Sequence, residues 1–518
     1  MSSAEKPAHL RPIWPSKISD MKLSSRYSTG TLAAAVLAAS LLAVPTLALP
    51  HGYPDSSAAR VTRIENGLLP AAVIKGHPAE TMRLVDRMKH YNVPGLSIAF
   101  FEHGQIAWTR TYGFADVAEH KAIGTDTLFQ AASISKTVTA LAALRLVQEG
   151  KLSLHEDVNL KLRTWKVPEN EFTKTEKVTL RRILSHSAGL TVHGFPGYAA
   201  GEPLPTILQI LNGEKPANNE PIRVHAVPGT VWDYSGGGYI ILQLLLSDVT
   251  GKPFPEVLHD LVLGPAGMVH STFEQPLPSD LLSSAALAYD SNGEPVEGGW
   301  HTYPEMAPGG LWTTPSDLAR FAIEVQQEYA GRSNKILSQS MARQMLTHQK
   351  DDWGLGFALE ASGHKLRFGH TGSNEGFRAD LEAYTEEPSQ GVVVMSNAPQ
   401  GAMLDDEILR AVANEYGWPD FHPQEHTLAA VAPAKLASYT GVYELGGIKH
   451  TVRLDGNKLY IEAGPLGREP QQLLPESDTQ FFILSDQLAF SFEKDEKGAT
   501  KKMVIHVNNL ALVAKKVQ

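Results

Sequence analysis

The sequence changes texture near residue 433, and this break constrains the fold more than any single motif. From about residue 75 to 425, helical and strand-like patterns alternate. From 434 to 518 only short alternating apolar/polar segments remain, at 441–444, 450–454, 458–462, 481–484, 489–492 and 502–507. Turn-forming pairs such as Asp455-Gly456 separate them. Short strands at regular spacing with no helical period read as a small antiparallel barrel. The first region needs a different core, because a mixed pattern buries its apolar faces in helix-on-sheet layers. The stretch 419–433 reads as a connection between the two. The expected organisation is a catalytic-sized domain over 75–425, a linker over 426–433 and a barrel over 434–518.

Within the first domain, 95–101 and 106–112 flank the turn Glu102-His103-Gly104-Gln105 and read as a hairpin. Its sheet is therefore at least partly antiparallel. Three further strands are expected at 366–370, 379–384 and 391–396, and helices at 81–91, 178–185, 239–251 and 405–416. The Gly/Pro/Asn-rich segment 193–229, broken by a helix at 205–211, is long enough to line a cleft. Thr314-Pro315-Ser316-Asp317 opens another helix, with Thr314 as N-cap, Pro315 at the first helical position and Asp317 completing a capping box. The fold class is mixed α/β: an antiparallel sheet flanked by helices, with a helical subdomain and the C-terminal barrel.

Composition narrows the function. The chain has 518 residues, 42% hydrophobic and 20% charged, which fits a globular protein. Its formal net charge is −10 with no long basic block, so nucleic acid is not an expected partner. There is no cysteine, which excludes disulfides, thiolate metal sites and a cysteine nucleophile. Residues 1–48 read as an export signal: Lys22 and Arg26 precede the apolar run 31–44, and Thr46-Leu47-Ala48 offers a small-x-small cleavage site. Twenty residues precede Met21, so either Met1 or Met21 is the start. The first 48 residues carry five basic and two acidic side chains, so the remainder holds a net charge of −13. No stable membrane anchor is expected once the signal is removed.

Chemistry concentrates at Ala132-Ser133-Ile134-Ser135-Lys136, followed by an apolar helix that Gly150 stops. Positions i and i+3 share a helix face, so the Lys136 amine can reach the Ser133 hydroxyl. A serine needs a neighbouring base to become a nucleophile, and burial favours the neutral amine that could serve. Further on stand Asp233-Tyr234-Ser235-Gly236-Gly237-Gly238 and Phe368-Gly369-His370-Thr371-Gly372-Ser373. The three motifs, in this order across the domain, resemble the penicillin-recognising serine hydrolases of the class C β-lactamase, DD-carboxypeptidase and esterase branch. Leu184-Ser185-His186-Ser187-Ala188-Gly189-Leu190, Pro228-Gly229-Thr230-Val231-Trp232 and Gly309-Gly310-Leu311-Trp312 add to the likeness.

The resemblance implies roles. Ser133 is the expected nucleophile, Lys136 its proton partner, and Tyr234 a tyrosinate, held by Lys136, that shuttles a proton to the leaving group. His370 is expected to hold Tyr234 and the substrate's polar end as a partly charged imidazole. Ser133 and Ser373 N–H groups would form the oxyanion hole, and Thr371, Gly372 and Gly236 would contact substrate. His186 is read as a packing residue. Gly236 departs from the usual Asn, which weighs against β-lactam turnover, and the glycine run predicts an open, mobile floor. His370 in place of Lys fits the carboxypeptidase and esterase side. The implied activity is acyl-enzyme hydrolysis of peptide or amide bonds, D-amino-acid-containing peptides included, in a bacterial periplasm or outside the cell, with no cofactor or metal. A carboxylesterase or weak β-lactamase is the alternative. A non-catalytic scaffold is a further one, against which the complete Ser133, Lys136 and Tyr234 argue.

Overall fold

The computed structural model describes residues 56–362, 365–463, 469–507 and 510–518. The expected export segment 1–48 lies outside them. Among the described residues, no helix is long and apolar enough to cross a membrane.

Seven strands form the central sheet: β1 (Gly95–Glu102), β2 (Gln105–Asp116), β3 (Lys121–Ala122), β4 (Ala358–Ser362), β5 (Lys365–Asn374), β6 (Phe377–Tyr384) and β7 (Gly391–Ser396). Their order is β3-β2-β1-β7-β6-β5-β4, antiparallel throughout. The central strands β1 and β7 are buried along almost their whole length. That explains their near-continuous apolar runs, because both faces are covered. Alternation along a strand sends successive side chains to opposite faces. Ala99 and Phe101 join the core with Ile134 and with Leu141 and Leu144 of the helix Ser135–Gln148. Leu96, Ile98 and Phe100 instead pack under Leu404, Ile408 and Val412 of the helix Gly401–Tyr416. Each such fully buried leucine or isoleucine contributes about 1.5–3 kcal/mol.

Three local expectations need correction. The strand expected at 366–370 runs on as β5 through Thr371-Gly372-Ser373 to Asn374, so the whole third motif lies within it. The helix expected at 239–251 begins at Gly236 (Gly236–Thr250), capped by the Ser235 hydroxyl, which accepts the Gly238 N–H at 3.0 Å. Thr314 does cap Pro315–Tyr329, but the Asp317 carboxylate does not complete a box. It accepts instead from His270 N and Ser271 Oγ, both at 2.8 Å, because two partners from another segment outcompete the local one.

Beyond the sheet lies a closed barrel of eight antiparallel strands between Gly441 and Lys516. Tyr443, Phe481, Phe490 and Phe492 fill it. Gln471–Pro475 and Leu510–Lys516 are the two strands the pattern did not announce. The connecting stretch is not featureless. Gln424–His426 pairs in parallel with Ala72–Ile74, and Ala72 N–H reaches the barrel at Leu484 O, 3.2 Å away.

Candidate active site

The serine sits on a constrained turn. Phe129–Gln130 pairs with Trp312–Thr313, and Ala131 N–H donates to Leu311 O at 2.9 Å. Ala132 then takes φ +48°, a left-handed conformation that costs a residue with a β-carbon about 1–3 kcal/mol. The 3₁₀ turn Ala132–Ile134 leads directly into the helix Ser135–Gln148. Ser135 holds the turn closed: its hydroxyl donates to Ala132 O at 2.5 Å and accepts from Leu311 N at 3.0 Å. Ala132 and Ile134 are buried while Ser133 stays partly exposed. The turn thus presents one hydroxyl to the cleft.

Lys136, one helical turn on, is 2% exposed. Its Nζ lies 3.0 Å from Ser133 Oγ and donates to Pro308 O at 2.9 Å. Among the described residues its hydrogen-bond partners are this hydroxyl and this carbonyl, and neither is a carboxylate. Burial lowers its pKa to about 7. A neutral amine gives one N–H to Pro308 O and turns its lone pair to the serine O–H. Acylation of Ser133 should therefore follow deprotonation of Lys136. The rate should rise with pH through about 7 and level off above it, as measured by a pH series of single-turnover acylation with an activated ester.

Tyr234 comes from the segment before the second helix. Its hydroxyl lies within the influence of Ser133, and Lys136 Nζ lies 5.0 Å from its ring centroid. The expectation of a tyrosinate is corrected here. Desolvation raises the phenol's pKa above its ordinary value, more than Ser133 lowers it. The same desolvation that disfavours the lysine's charge keeps the phenol protonated, so above about pH 7 the pair is amine and phenol. His370 is corrected in the same way. Burial, then the nearby Lys136, lowers its pKa to about 3, so the ring is neutral at pH 7. Its Nδ1 lies 2.6 Å from Thr371 O and donates to it, while Trp353 meets the ring edge-on at 5.4 Å. Tyr234 and His370 rings are 6.1 Å apart.

Gly372 is where β5 meets the Ser133 turn. A β-carbon there would stand 2.2 Å from Ala131 O. Gly372→Ala should therefore push the strand from the turn, costing about 1–3 kcal/mol in a denaturant melt and at least tenfold in acylation rate. Ser373, next along, is exposed, and Thr371 faces Asp380 across the ladder. Asn374 ties β5 down, donating to Gln130 Oε1 at 2.7 Å and Gly309 O at 3.0 Å. Ser133, Lys136, Tyr234, His370 and Gly372 thus come together. Gly236 does not join them: it is buried in the first helical turn, its N–H on His193 O at 3.0 Å. The open floor is corrected too, since a β-carbon on Gly237 would lie 2.5 Å from Thr191 O. The three glycines are buried and permit close packing in the first helical turn.

Sequence reasoning missed Pro308 O and Trp353 as site components, and named His193 only as the start of a cleft-lining segment. The first is a backbone carbonyl with no sequence signature of its own, although Gly309-Gly310 beside it was a cue. Trp353 touches Tyr234 edge-on at 5.9 Å, and His193 lies 4.8 Å from it.

Residues 82–416 match the family described as Beta-lactamase, and residues 425–516 one described as a domain of unknown function (DUF3471). Penicillin-binding protein 4* of Bacillus subtilis is 26% identical over 78% of this chain and 91% of its own length. Protein flp of Staphylococcus aureus is 25% identical over 59% of this chain, which spans only 60% of that relative. Among solved structures, the octameric penicillin-binding protein homologue from Pyrococcus abyssi aligns with a TM-score of 0.56 and 23% identity, covering 83% of this chain and 98% of its own. The D-amino acid amidase from Ochrobactrum anthropi aligns at 0.51 and 22%, covering 64% and 97%. At these identities the structural matches speak for the fold.

Proposed function

The chain belongs to the β-lactamase family of serine hydrolases, and from that premise we propose that it hydrolyses peptide or amide bonds, D-amino-acid-containing peptides among them, through an acyl-enzyme on Ser133. The observation that carries this is the 3.0 Å contact between Ser133 Oγ and a buried, readily neutral Lys136. As Oγ bonds to the carbonyl carbon, the Lys136 lone pair takes its proton and the carbonyl π pair moves onto oxygen. Backbone N–H groups of Ser133 and Ser373 would receive that oxyanion; one such donor is typically worth about two to three powers of ten in rate. Collapse breaks the bond to the leaving amine, which takes the Tyr234 proton, and the Lys136 ammonium restores the phenol. Water then gives its proton through the same pair, and Ser133 Oγ recovers one as the acid departs.

His370 and Thr371 would line the leaving-group side, with Gly372 allowing the close approach. The apolar run 31–44 supports export to a periplasm or the medium. The naming of relatives as a penicillin-binding protein and a D-amino acid amidase supports the substrate class. A second reading, carboxylesterase, draws on Gly236 in place of Asn and on the neutral His370, which leaves little positive charge for a substrate carboxylate.

Purified wild type and Ser133→Ala, incubated with a fluorescent penicillin, a D-amino-acid amide and p-nitrophenyl esters, separate these readings. Amide turnover lost in the variant supports the first. Fast ester turnover with neither amide turnover nor penicillin labelling supports the second. Silence toward all three leaves the scaffold reading.

A further inference from the structure

We propose that His186 is a positioning residue for Tyr234, fixing where the phenol hands over its proton; this deepens the reading of Tyr234 as proton donor and rests on it. His186 holds three consecutive residues at once. Its carbonyl accepts Asp233 N–H at 2.8 Å. Its ring stacks on Tyr234 with centroids 4.3 Å apart and planes 29° apart. Its Nδ1 accepts Ser235 N–H at 3.1 Å. The phenol is thereby gripped through its ring and through the backbone on both sides.

The grip is itself braced. Trp353 meets the imidazole edge-on at 5.0 Å, Trp232 at 6.3 Å, and Tyr239 tilts against it at 5.6 Å. His186 is 2% exposed and adopts φ +52°, a conformation uncommon for a residue with a β-carbon. Only a neutral ring protonated on Nε2 can accept at Nδ1. The surroundings favour the neutral ring: burial first, then Lys136, His370 and His193, all disfavour a cation here. An ordinary packing residue needs neither the acceptor nor the fixed tautomer.

Positioning has a signature that packing lacks. Tyr234 matters most when the leaving group must be protonated, as for an alkylamine, and least when it departs as a stable anion, as for p-nitrophenolate. Single-turnover acylation should be measured for one acyl group carried as an alkylamide and as a p-nitrophenyl ester. Wild type, His186→Ala, His186→Asn and, as reference, Tyr234→Phe are compared. Asparagine tolerates positive φ and can offer Ser235 an acceptor, but lacks the ring.

The alanine variant should lose on the order of 100-fold on the amide, as for a reacting group displaced by about 1 Å. Its ester rate should change less than about fivefold, copying Tyr234→Phe in kind. Asparagine should fall between alanine and wild type on the amide. Equal losses on both substrates, or none on either, overturn the proposal. If the alanine variant does not fold, the asparagine variant decides alone by the same split. Wild type that never acylates Ser133 would instead overturn the underlying hydrolase reading, so the two failures are distinct.

Discussion

Ser133→Ala will yield a protein that folds normally and never carries an acyl group. Intact-mass spectrometry of wild type with an activated ester or a penicillin should show one added acyl mass, and peptide mapping should place it on Ser133. The variant should show none. Turnover should fall by at least about 10⁴-fold, because the chemistry is split into two steps through this one oxygen. Folding should be spared. The turn is held by Ser135 and Leu311, not by the Ser133 side chain, which is partly exposed. A wild-type adduct mapping to any other residue, or a variant that turns over normally, ends this account.

Lys136→Met should separate stability from activity. Methionine keeps the length and volume of the buried stem but has no proton to exchange. Acylation should drop by two to four powers of ten, the usual worth of a positioned acid–base group, and the pH limb near 7 should vanish. Stability should not drop. Lysine's pKa falls from 10.5 in the unfolded chain to about 7 in the folded one. Between those values the unfolded chain binds more protons, so the lysine's burial opposes folding at pH 7 and less so as pH rises toward 10.5. Removing the amine removes that penalty. Thermal melts at pH 7 should therefore show the variant at least as stable as wild type, and wild type should gain stability with pH relative to it. A variant that loses both activity and several degrees of Tm would indicate that the amine's bond to Pro308 O outweighs its burial.

What the sequence made legible follows from distance along the chain. Ser133 and Lys136 are local, so helix geometry alone brings them together. Tyr234 and His370 became candidates only through the order of their motifs. Nothing in their own neighbourhoods placed them near Ser133. His186 stood in a recognised motif but carried no sign of its bond to Ser235, 49 residues away. Trp353 joins the same site from a loop before β4 and carried no signal. Charge state was the least legible property. A tyrosinate needs a charged Lys136 beside it and a partly charged imidazole needs solvent, and both expectations fail because burial is a property of the assembled fold. In the barrel, six strands were readable from alternation. Leu510–Lys516, with its exposed leucine and valine, was not, because it is defined by the neighbours it pairs with.

That last strand has a consequence. By pairing with Gly441–Leu445 as well as with Thr500–Val507, it leaves every ribbon of the cylinder flanked on both sides. Among the described residues, Lys515 and Lys516 close the seam against Glu444 and Tyr443, so the cylinder lacks the free end strands on which a passing extended peptide would zip itself. A partner docking on this module, a second copy for example, is then expected to be recognised mainly by side chains and surface relief. Alanine scanning of its outward-facing residues is therefore the productive way to look for a partner.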